Sequence, residues 1–399
     1  MTSDQPALPT RPSGTPLVTR LRPFGTSVFS EMTQRALQFD AVNLGQGFPD
    51  TEGPAEMVQI AARGLQEGLN QYAPARGLPE LRRVVAEHQD RFYGIPLDPD
   101  TQVLVTVGAT EAIAAALIAL VEPGDEVVVV EPAYDSYAAS VAMAGGVRRS
   151  VQLRFPDLAL DVDALRAAVT ARTRVLLLNT PHNPTGKVFT PEELEAVASI
   201  AREHDLVVLS DEVYEHLVFD GLAHVPIATL PGMAERTLTI SSVGKTFSFT
   251  GWKTGWITGP AELVDAVATV KQFLTFVGNT HVQPAVAHGL RMPTEFFTGF
   301  VAGLQAKRDL LIEALSEVGV PVSPCQGTYF VIADLAGHGV DDAVDFCRRM
   351  PEELGVVGVP VSVFCDDPAP VASLVRFAFC KREEVLREAA RRLQVLSRP

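Results

Sequence analysis

Three residues with reactive side chains follow closely on short apolar runs of the sequence. Lys245 lies after the run Thr237–Ile240, in a loop rich in Ser, Gly and Thr that reads SSVGKTFSFTGWKTGW. Asp211 lies after the run Leu206–Leu209, and Asn183 lies in the segment TPHNPTG, which follows another such run. If these runs are neighbouring parallel strands, their carboxyl ends share one edge of the sheet, where ligands bind in open α/β sheets. That edge would then combine an amine able to act as a nucleophile with an acid and an amide.

A phosphate-binding feature and an aromatic residue are expected at the same edge. Gly108, Ala109 and Thr110 follow the apolar run Val103–Val107 and begin a helical stretch. The free N–H groups at the start of a helix bind a phosphate well. Tyr134, in the segment EPAYDSY, follows one further apolar run. The edge would therefore offer an anion site and an aromatic surface beside the three reactive side chains.

Each of these residues has a simpler structural explanation when it is considered alone. Most single lysines lie at the surface, and an Asn-Pro pair commonly forms a turn. Gly-Ala-Thr can begin a helix without binding anything, and a tyrosine can belong to the core. Their occurrence together, each after an apolar run, favours a functional interpretation.

Several better-known motifs are excluded by the residues themselves. The segment 45–50, GQGFPD, lacks the third glycine of a dinucleotide-binding loop and has a proline where the helix would begin. The segment 242–246, SVGKT, resembles the end of a P-loop, but Thr239 stands where that motif needs its first glycine. No serine lies in G-x-S-x-G, and no histidines have the spacing H-E-x-x-H. We therefore expect neither a hydrolase nor a metal site.

Composition and charge exclude further classes of protein. With 33 Lys plus Arg against 48 Asp plus Glu, the formal net charge is −15, which disfavours non-specific binding to nucleic acids. No apolar run approaches the roughly 18 residues that a membrane span needs. The first residues, MTSDQPALPTRPSGTP, lack the apolar core of a secretion signal, and the cysteines form no C-x-x-C pair. We therefore expect a globular cytoplasmic protein with no nucleic-acid or membrane partner.

The elements that must position these residues alternate between short apolar runs and helical stretches. The runs are almost continuously apolar, as expected for strands that helices cover on both faces. They are Val103–Val107, Glu126–Val130, Val175–Leu178, Leu206–Leu209 and Thr237–Ile240. The segment Pro191–His204 predicts one intervening helix, with Thr190 as its N-cap and Glu193 completing a capping box. This alternation predicts an α/β fold with a doubly wound sheet.

The pattern changes after Pro284, where a second, smaller domain is predicted. A long helical stretch at Glu295–Val318 is followed by the strand-like runs Tyr329–Ala333 and Val375–Phe379 and by a charged helix from Arg382 onward. The predicted segments are a flexible N-terminal arm at 1–16, a segment at 17–45 that completes the small domain, a large domain at 46–285 and the small C-terminal domain at 286–399.

The chain resembles the fold-type I aminotransferases of class I and II, which use pyridoxal phosphate (PLP). The resemblance extends from about Arg20 to Leu396 and rests on the motifs GATEA, EPAYDSY, HNPTG, SDEVY, S-x-x-K-T-F-S-x-T-G-W-K-x-G-W and RFAFCK. NLGQGFPD, NQYAP and the GWK variant resemble the kynurenine and methionine aminotransferase branch. TVGATEAIAA, EVYEHLVFD and GMAERT-x-TISS are closest to actinobacterial N-succinyldiaminopimelate aminotransferases. The resemblance implies a large PLP-binding domain with a mainly parallel, seven-stranded-type sheet and a small α+β domain.

The resemblance also implies roles for individual residues. Lys245 matches the lysine that forms a Schiff base with PLP and then moves the proton at the substrate Cα. Asp211 matches the acid that keeps the pyridine nitrogen protonated, so that the cofactor acts as an electron sink. Tyr214 and Asn183 match the two donors to the phenolate oxygen of the cofactor. Tyr134 matches the aromatic residue that stacks on the pyridine ring.

The resemblance implies that the cofactor phosphate lies at the start of the helical stretch that follows the apolar run Val103–Val107. Gly108, Ala109 and Thr110 match that helix start, and Ser242 and Lys253 match two further phosphate-binding residues. Many relatives have an arginine in place of Lys253. A lysine offers a point charge without the bidentate fork, which suits a phosphate.

Other residues are implied to bind the substrate. Arg376 matches the arginine whose bidentate fork binds the substrate α-carboxylate, although an arginine at a strand end can also be a plain ion pair. Gly47 is expected to bring its backbone close to that carboxylate, and Asn183 to contact the substrate as well. Tyr72 matches a tyrosine that reaches the phosphate of the neighbouring subunit, which implies a homodimer with shared active sites.

The chain departs from the kynurenine aminotransferases at several positions. It has Thr110 where they have an aromatic residue, Phe29 where they have a tryptophan, and Phe276-Val277 where they have Phe-His. These differences argue against a preference for kynurenine and make Phe29 a candidate substrate contact. Arg76, in NQYAPARG, is an unusual cation near the partner-subunit site, and we predict that it meets a distal carboxylate of the substrate. The simpler explanation for Arg76 is a solvated surface arginine.

The resemblance implies ping-pong transamination, in which PLP alternates with pyridoxamine phosphate. An amino acid gives up its amino group to a 2-oxo acid, which in this family is usually 2-oxoglutarate. The first choice of amino donor is N-succinyl-LL-diaminopimelate, in lysine and cell-wall precursor synthesis. The alternatives are a broad methionine, aromatic or kynurenine aminotransferase and a cysteine-conjugate β-lyase. A DNA-binding regulator built on this fold is not expected, because only about 40 residues precede NLGQGFPD and the chain is acidic.

Overall fold

The computed structural model of the chain describes residues 17–25 and 28–397, so the predicted arm at 1–16 lies outside the described residues. The α-helices are α1 (Val28–Gln38), α2 (Ala55–Gln66), α3 (Pro79–Tyr93), α4 (Gly108–Leu120), α5 (Asp135–Ala144), α6 (Val162–Ala168), α7 (Pro191–Glu203), α8 (Val243–Thr246), α9 (Ala261–Leu274), α10 (Gln283–Leu290), α11 (Thr294–Glu317), α12 (Ala343–Glu353) and α13 (Glu383–Leu393). The strands are β1 (Val42–Asn43), β2 (Val103–Thr106), β3 (Glu126–Glu131), β4 (Val147–Gln152), β5 (Thr173–Asn179), β6 (Val207–Asp211), β7 (Thr237–Ser242), β8 (Gly255–Thr258), β9 (Phe330–Asp334), β10 (Val356–Val357), β11 (Val359–Pro360) and β12 (Leu374–Ala378).

A seven-stranded sheet with the order β2-β8-β7-β6-β5-β3-β4 forms the centre of the fold. Strands β7, β6, β5, β3 and β4 are parallel to one another, and β8 pairs antiparallel with both β7 and β2. The prediction of a mainly parallel sheet is therefore confirmed. Because β5, β6 and β7 are adjacent and parallel, their carboxyl ends lie side by side at one edge.

Helices cover both faces of this sheet, which explains why its strands are nearly continuous apolar runs. Along β3, Val127 and Val129 belong to a core cluster with residues of α4, α5 and α9. The alternate residues Val128 and Val130 belong to a second cluster with residues of α6 and α7. Both sets are almost fully buried, because successive side chains of a strand point to opposite faces. The capping box predicted for α7 is present at Thr190 and Glu193.

Strands from both ends of the chain form the two smaller sheets. Strands β11, β12 and β9 form an antiparallel sheet, and β1 pairs in parallel with β10. Met32 and Ala36 of α1 share a core cluster with residues of α12, α13, β9 and β12. The segment before residue 45 thus packs with the C-terminal elements, and we propose 17–45 plus 286–399 as one domain and 46–285 as the other. No helix within residues 17–25 and 28–397 is long and apolar enough to cross a membrane.

Candidate active site

A cavity of about 410 Å³ opens where β5, β6 and β7 end. All but two of the site residues predicted from the sequence line it. They are Phe29, Gly47, Gly108, Ala109, Thr110, Tyr134, Asn183, Asp211, Tyr214, Ser242, Lys245, Lys253 and Arg376. Asp211 and Ser242 are the last residues of β6 and β7, and Lys245 lies in the short helix α8 that follows β7. The strand ends therefore bring together an acid, an amine and several hydrogen-bonding groups.

Asp211 is a buried carboxylate at the inner wall of the cavity. The hydroxyl of Tyr137 donates to its Oδ2 atom at 2.6 Å, and the backbone N–H of Val213 donates to Oδ1 at 3.3 Å. Burial raises the pKa of Asp211 to about 6, and these two hydrogen bonds oppose that shift. Within the described chain Asp211 forms no ion pair, so its charge is available to a cation bound in the cavity. Tyr137 was missed by the sequence analysis, although it lies in the same segment, EPAYDSY, as Tyr134.

Lys245 places its amine in the same cavity. Burial lowers the pKa of Lys245 to about 8, while the nearby Cys380 and Asp211 oppose the shift. Its Nζ atom donates to the hydroxyl of Tyr329 at 2.8 Å. An amine with this pKa is partly neutral close to physiological pH, and the neutral form is the nucleophile. Tyr329 is a second residue that the sequence analysis missed, because it was assigned only to a strand.

The start of α4 lies beside the amine of Lys253. Gly108, the first residue of α4, has a φ of +72°, and a Cβ atom built on it would lie 3.2 Å from Lys253 Nζ. A Cβ built on Gly255 of β8 would lie 3.0 Å from the backbone nitrogen of Ala109 and 2.8 Å from the carbonyl carbon of Gly108. The absence of these two side chains lets a lysine amine and a helix N-terminus converge on one point. Both features favour a phosphate-like anion.

Arg376 of β12 is a buried cation, and the charge of Asp135 acts on it without forming an ion pair. It is 1% exposed, and its guanidinium donates to Asn183 Oδ1 at 3.2 Å and to the carbonyl of Gly45 at 3.0 Å. Among the residues that the structure describes, its Nε atom has no hydrogen-bond partner and its side chain forms no ion pair. Burial lowers the pKa of Arg376 to about 10. A buried guanidinium with a free N–H is a binding group for a carboxylate.

Aromatic rings and a glycine shape the space around Arg376. The guanidinium carbon lies 4.1 Å from the centre of the Phe330 ring and 5.2 Å from that of Phe29. A Cβ atom on Gly47 would lie 2.4 Å from Phe330 Cζ, so only glycine fits there. Phe29, Phe330 and Arg376 all line the cavity, so a carboxylate that enters it can reach the guanidinium.

Two predicted residues, Tyr72 and Arg76, do not line the cavity of their own chain. Tyr72 is 80% exposed, and its ring contacts that of Phe276 at a centroid distance of 5.4 Å. Arg76 forms an ion pair with Asp265 and donates to the carbonyl of Thr101 at 2.7 Å. Their predicted contacts belong to a second subunit and stay predictions. For Arg76, binding a substrate carboxylate would require the guanidinium to share or leave Asp265.

A separate buried polar cluster lies behind the segment that carries Asp211. His88, Glu215 and His216 place their ligand atoms within 4.8 Å of one another. The Nε2 atoms of His88 and His216 are 2.8 Å apart. Burial lowers the pKa of His88 to about 3, and that of His216 also falls, so both rings are neutral. The contact is that of a hydrogen bond, since two nitrogens on a tetrahedral zinc would lie about 3.3 Å apart.

The sequence and the fold are similar to those of known proteins. The sequence profile of the family described as aminotransferase class I and II matches residues 40–393. A probable N-succinyldiaminopimelate aminotransferase of Mycobacterium tuberculosis is 52% identical over 391 residues, which are 95% of this chain and 98% of that protein. The methionine aminotransferase of Escherichia coli strain K12 is 41% identical over 377 residues, 94% of this chain and 97% of that protein. A solved structure of the N-succinyldiaminopimelate aminotransferase from Mycobacterium tuberculosis gives a TM-score of 0.93 at 53% identity, covering 95% of this chain and 100% of that one.

Proposed function

The chain belongs to the class I and II aminotransferases, and from this premise we propose that it transfers the amino group of N-succinyl-LL-diaminopimelate to 2-oxoglutarate with PLP as its cofactor. The observation that carries the choice of amino donor is the 52% identity, over 95% of this chain, to the probable N-succinyldiaminopimelate aminotransferase. Amino acids and 2-oxo acids are the substrates of the family. The reaction would belong to lysine synthesis.

The residues present fit PLP, which carries an aldehyde, a basic ring nitrogen and a phosphate. Lys245 supplies the amine for the aldehyde, and Asp211 supplies a carboxylate that forms no ion pair within the described chain. The convergence of Lys253 and the start of α4 at Gly108, where a Cβ would intrude, suits the phosphate. Tyr134 would lie against the ring, and Asn183 with Tyr214 would hold the phenolate oxygen, while Ala109, Thr110 and Ser242 would add phosphate contacts.

The residues of the chain then have separate tasks in the reaction. Bound PLP would supply an electron sink for the charge that develops when the substrate Cα loses its proton. Lys245 Nζ, with its pKa near 8, would take up that proton from Cα and pass it on to the aldehyde carbon of the cofactor. Arg376 would bind the α-carboxylate and fix the orientation of the substrate. Asp211 would hold its negative charge beside the ring nitrogen of the cofactor.

Replacing Arg376 with lysine is expected to lower kcat/KM for every amino donor on the order of 100-fold. The charge is kept, but the fork that a carboxylate needs is lost, and a buried partner group is left unpaired. Steady-state kinetics with the PLP-saturated variant would measure the loss, and its unchanged visible absorption would show that the cofactor is bound. An unchanged KM for all donors would show that the α-carboxylate binds elsewhere.

The choice of amino donor is tested by the half-reaction in a single turnover. PLP-loaded protein is mixed separately with N-succinyl-LL-diaminopimelate, methionine and kynurenine, and the loss of visible absorption is timed. We expect the second-order rate constant to be at least about tenfold larger for the succinylated donor than for the other two. The reason is that one good hydrogen bond to its charged succinyl group is worth more than about 1.4 kcal/mol. The Arg376→Lys variant should slow all three donors. A faster reaction with methionine or kynurenine would contradict the proposed substrate.

A broad-specificity methionine aminotransferase is the second candidate, favoured by the 41% identity to the enzyme of Escherichia coli. A cysteine-conjugate β-lyase is the third. Release of pyruvate from a cysteine conjugate in the absence of any 2-oxo acid would separate a lyase from a transaminase. The predicted cytoplasmic location stays a prediction.

We also propose that the protein is a homodimer. Large apolar side chains are exposed together around the end of α9 and the loop that contains Tyr72. Tyr72 is 80% exposed, Phe273 83%, Leu274 48% and Phe276 42%. A contiguous apolar patch on a protein surface is typical of an interface. This assembly would give Tyr72 and Arg76 a place at the active site of the partner.

A further inference from the structure

Tyr329 lies directly behind the amine of Lys245. The Nζ atom of Lys245 donates to the hydroxyl oxygen of Tyr329 at 2.8 Å. That hydroxyl donates in turn to the backbone carbonyl of Gly47 at 2.7 Å. Tyr329 is 1% exposed, and its ring meets that of Tyr214 edge to face at 5.3 Å. The phenol therefore joins the lysine of the site to the loop that contains Gly47.

The direction of these two hydrogen bonds is fixed by chemistry. A carbonyl oxygen can only accept, so the single hydrogen of the Tyr329 hydroxyl is used by Gly47. Toward Lys245 the phenol oxygen can therefore only accept. The lysine must donate, whether it is an amine or an ammonium ion. Since the nitrogen is tetrahedral, a neutral amine held in this way keeps its lone pair directed away from Tyr329.

The backbone before Tyr329 is held in a conformation that is unfavourable for its residue. Thr328 has a φ of +63°, in the left-handed region, which a β-branched side chain rarely adopts. It is fully buried, its N–H donates to the carbonyl of Leu217 at 2.9 Å, and its hydroxyl accepts from the N–H of Phe330 at 3.2 Å. Strain of this kind persists where the surroundings enforce it, often near functional groups. Here it turns Tyr329 toward Lys245.

We propose that Tyr329 is a positioning residue that holds the free amine of Lys245 as a hydrogen-bond donor, so that the nitrogen lone pair stays directed into the cavity for proton transfer. The proposal rests on the proposed role of Lys245 and extends it. The phenol of Tyr329 accepts a hydrogen bond from the amine of Lys245 whenever this amine is not covalently bound. It also couples the position of that amine to the loop at Gly47, which is expected to meet the substrate carboxylate.

Loss of the Tyr329 hydroxyl should move the titration of Lys245 downward. Hydrogen bonding to an ammonium ion is stronger than to an amine, so the acceptor favours the charged form and its removal favours the neutral one. The other charged or titratable groups around the amine are Asp211, Arg376, Lys253, Cys380 and Tyr214. A Tyr329→Phe substitution leaves all of them in place.

The test uses the rate at which cofactor-free protein takes up PLP covalently, followed by absorbance between pH 6 and 10. Only the neutral amine reacts, so the pH profile reports the pKa of Lys245. We expect an inflection near 8 for the native protein and one about a full pH unit lower for Tyr329→Phe. Tyr329→Leu, which also lacks the oxygen, should show the same downward shift.

Tyr93→Phe is the matched control, because it removes another buried hydroxyl, one that hydrogen-bonds to Glu215 outside the cavity. Its profile should coincide with that of the native protein. A profile of Tyr329→Phe that also coincides would overturn the proposal and leave the role of Lys245 standing. Lys245→Ala distinguishes the two failures: if that variant takes up PLP with the native spectrum, the proposed function of Lys245 is itself wrong.

In turnover, Tyr329→Phe should lower kcat about tenfold with little change in the KM of the amino donor. The isotope effect of deuterium at the substrate Cα should rise, because the proton transfer becomes slower relative to the other steps. A larger KM with an unchanged isotope effect would point to a merely structural role and contradict the proposal.

Discussion

Replacing Lys245 with alanine is expected to lower kcat by about 10⁴-fold or more and to remove the visible absorption of bound PLP. Lys245 is the amine of the cavity whose pKa burial brings down to about 8, and it lies within reach of Asp211 at the ends of two adjacent strands. Among the described residues that line the cavity, the other amine is that of Lys253, which lies at the start of α4. The measurement is the absorption spectrum of the purified variant after addition of PLP, together with single-turnover rates.

Lys253→Ala is the control for this variant, since it removes the other amine of the cavity. Lys253 points to the start of α4, where its Nζ lies 3.2 Å from the position of a Cβ on Gly108. Its loss should therefore weaken PLP binding about tenfold while the visible absorption of the saturated protein stays intact. If Lys245→Ala keeps that absorption and Lys253→Ala loses it, Lys253 binds PLP covalently and the roles assigned to the two lysines are wrong.

The central part of the fold could be predicted because its strands are buried on both faces. Continuous apolar runs at β2, β3, β5, β6 and β7 are visible without any knowledge of tertiary contacts. The edge strand β4 was not predicted, since Arg148 and Arg149 interrupt its apolar pattern. In the fold these arginines pair with Glu131 at 3.1 Å and Glu126 at 2.6 Å. A strand whose charges are neutralised by its neighbour gives no local signal.

The antiparallel strand β8 was missed for a different reason. It covers only Gly255–Thr258 and follows the loop of the GWK motif without a run of its own. Its position between β7 and β2 is decided by the close approach of Gly255 to the backbone of α4. Such a close approach requires a glycine. A glycine in the sequence does not by itself indicate a close approach, however, so the strand cannot be assigned from the sequence alone.

The residues of the candidate site divide in the same way. Asp211, Lys245 and Asn183 could be found because each follows an apolar strand. Tyr137 and Tyr329 could not, because the direction of each side chain depends on the first turn of α5 or on the left-handed backbone at Thr328. Both missed tyrosines contact a residue that was found. The groups expected to react could therefore be found from the sequence, whereas the two tyrosines that hold them in place could not.

Replacing Asp211 with asparagine is expected to lower kcat about 10³-fold and to weaken PLP binding. Asparagine keeps the size of the side chain, but its single amide oxygen can accept from only one of Tyr137 and Val213, which donate to different oxygens of Asp211. The negative charge is lost together with one hydrogen bond, so Tyr137→Phe, which removes one of these bonds and keeps the carboxylate, is the control for the effect of the charge. Single-turnover rates at saturating PLP would measure it. A kcat equal to that of the native protein would show that another group holds the ring nitrogen.

The pH dependence of PLP binding gives an independent measure of the same carboxylate. Burial raises the pKa of Asp211 to about 6, so in the cofactor-free protein the carboxylate is ionised above that pH and protonated below it. Because only the ionised form attracts a cation, protonation of this carboxylate should lower the affinity for PLP as the pH drops below about 6. Tyr137→Phe removes the donor to Oδ2 and should move this fall to higher pH, while Asp211→Asn should show no such fall. A fall that persists in Asp211→Asn would assign the titration to a different group, such as the cofactor phosphate.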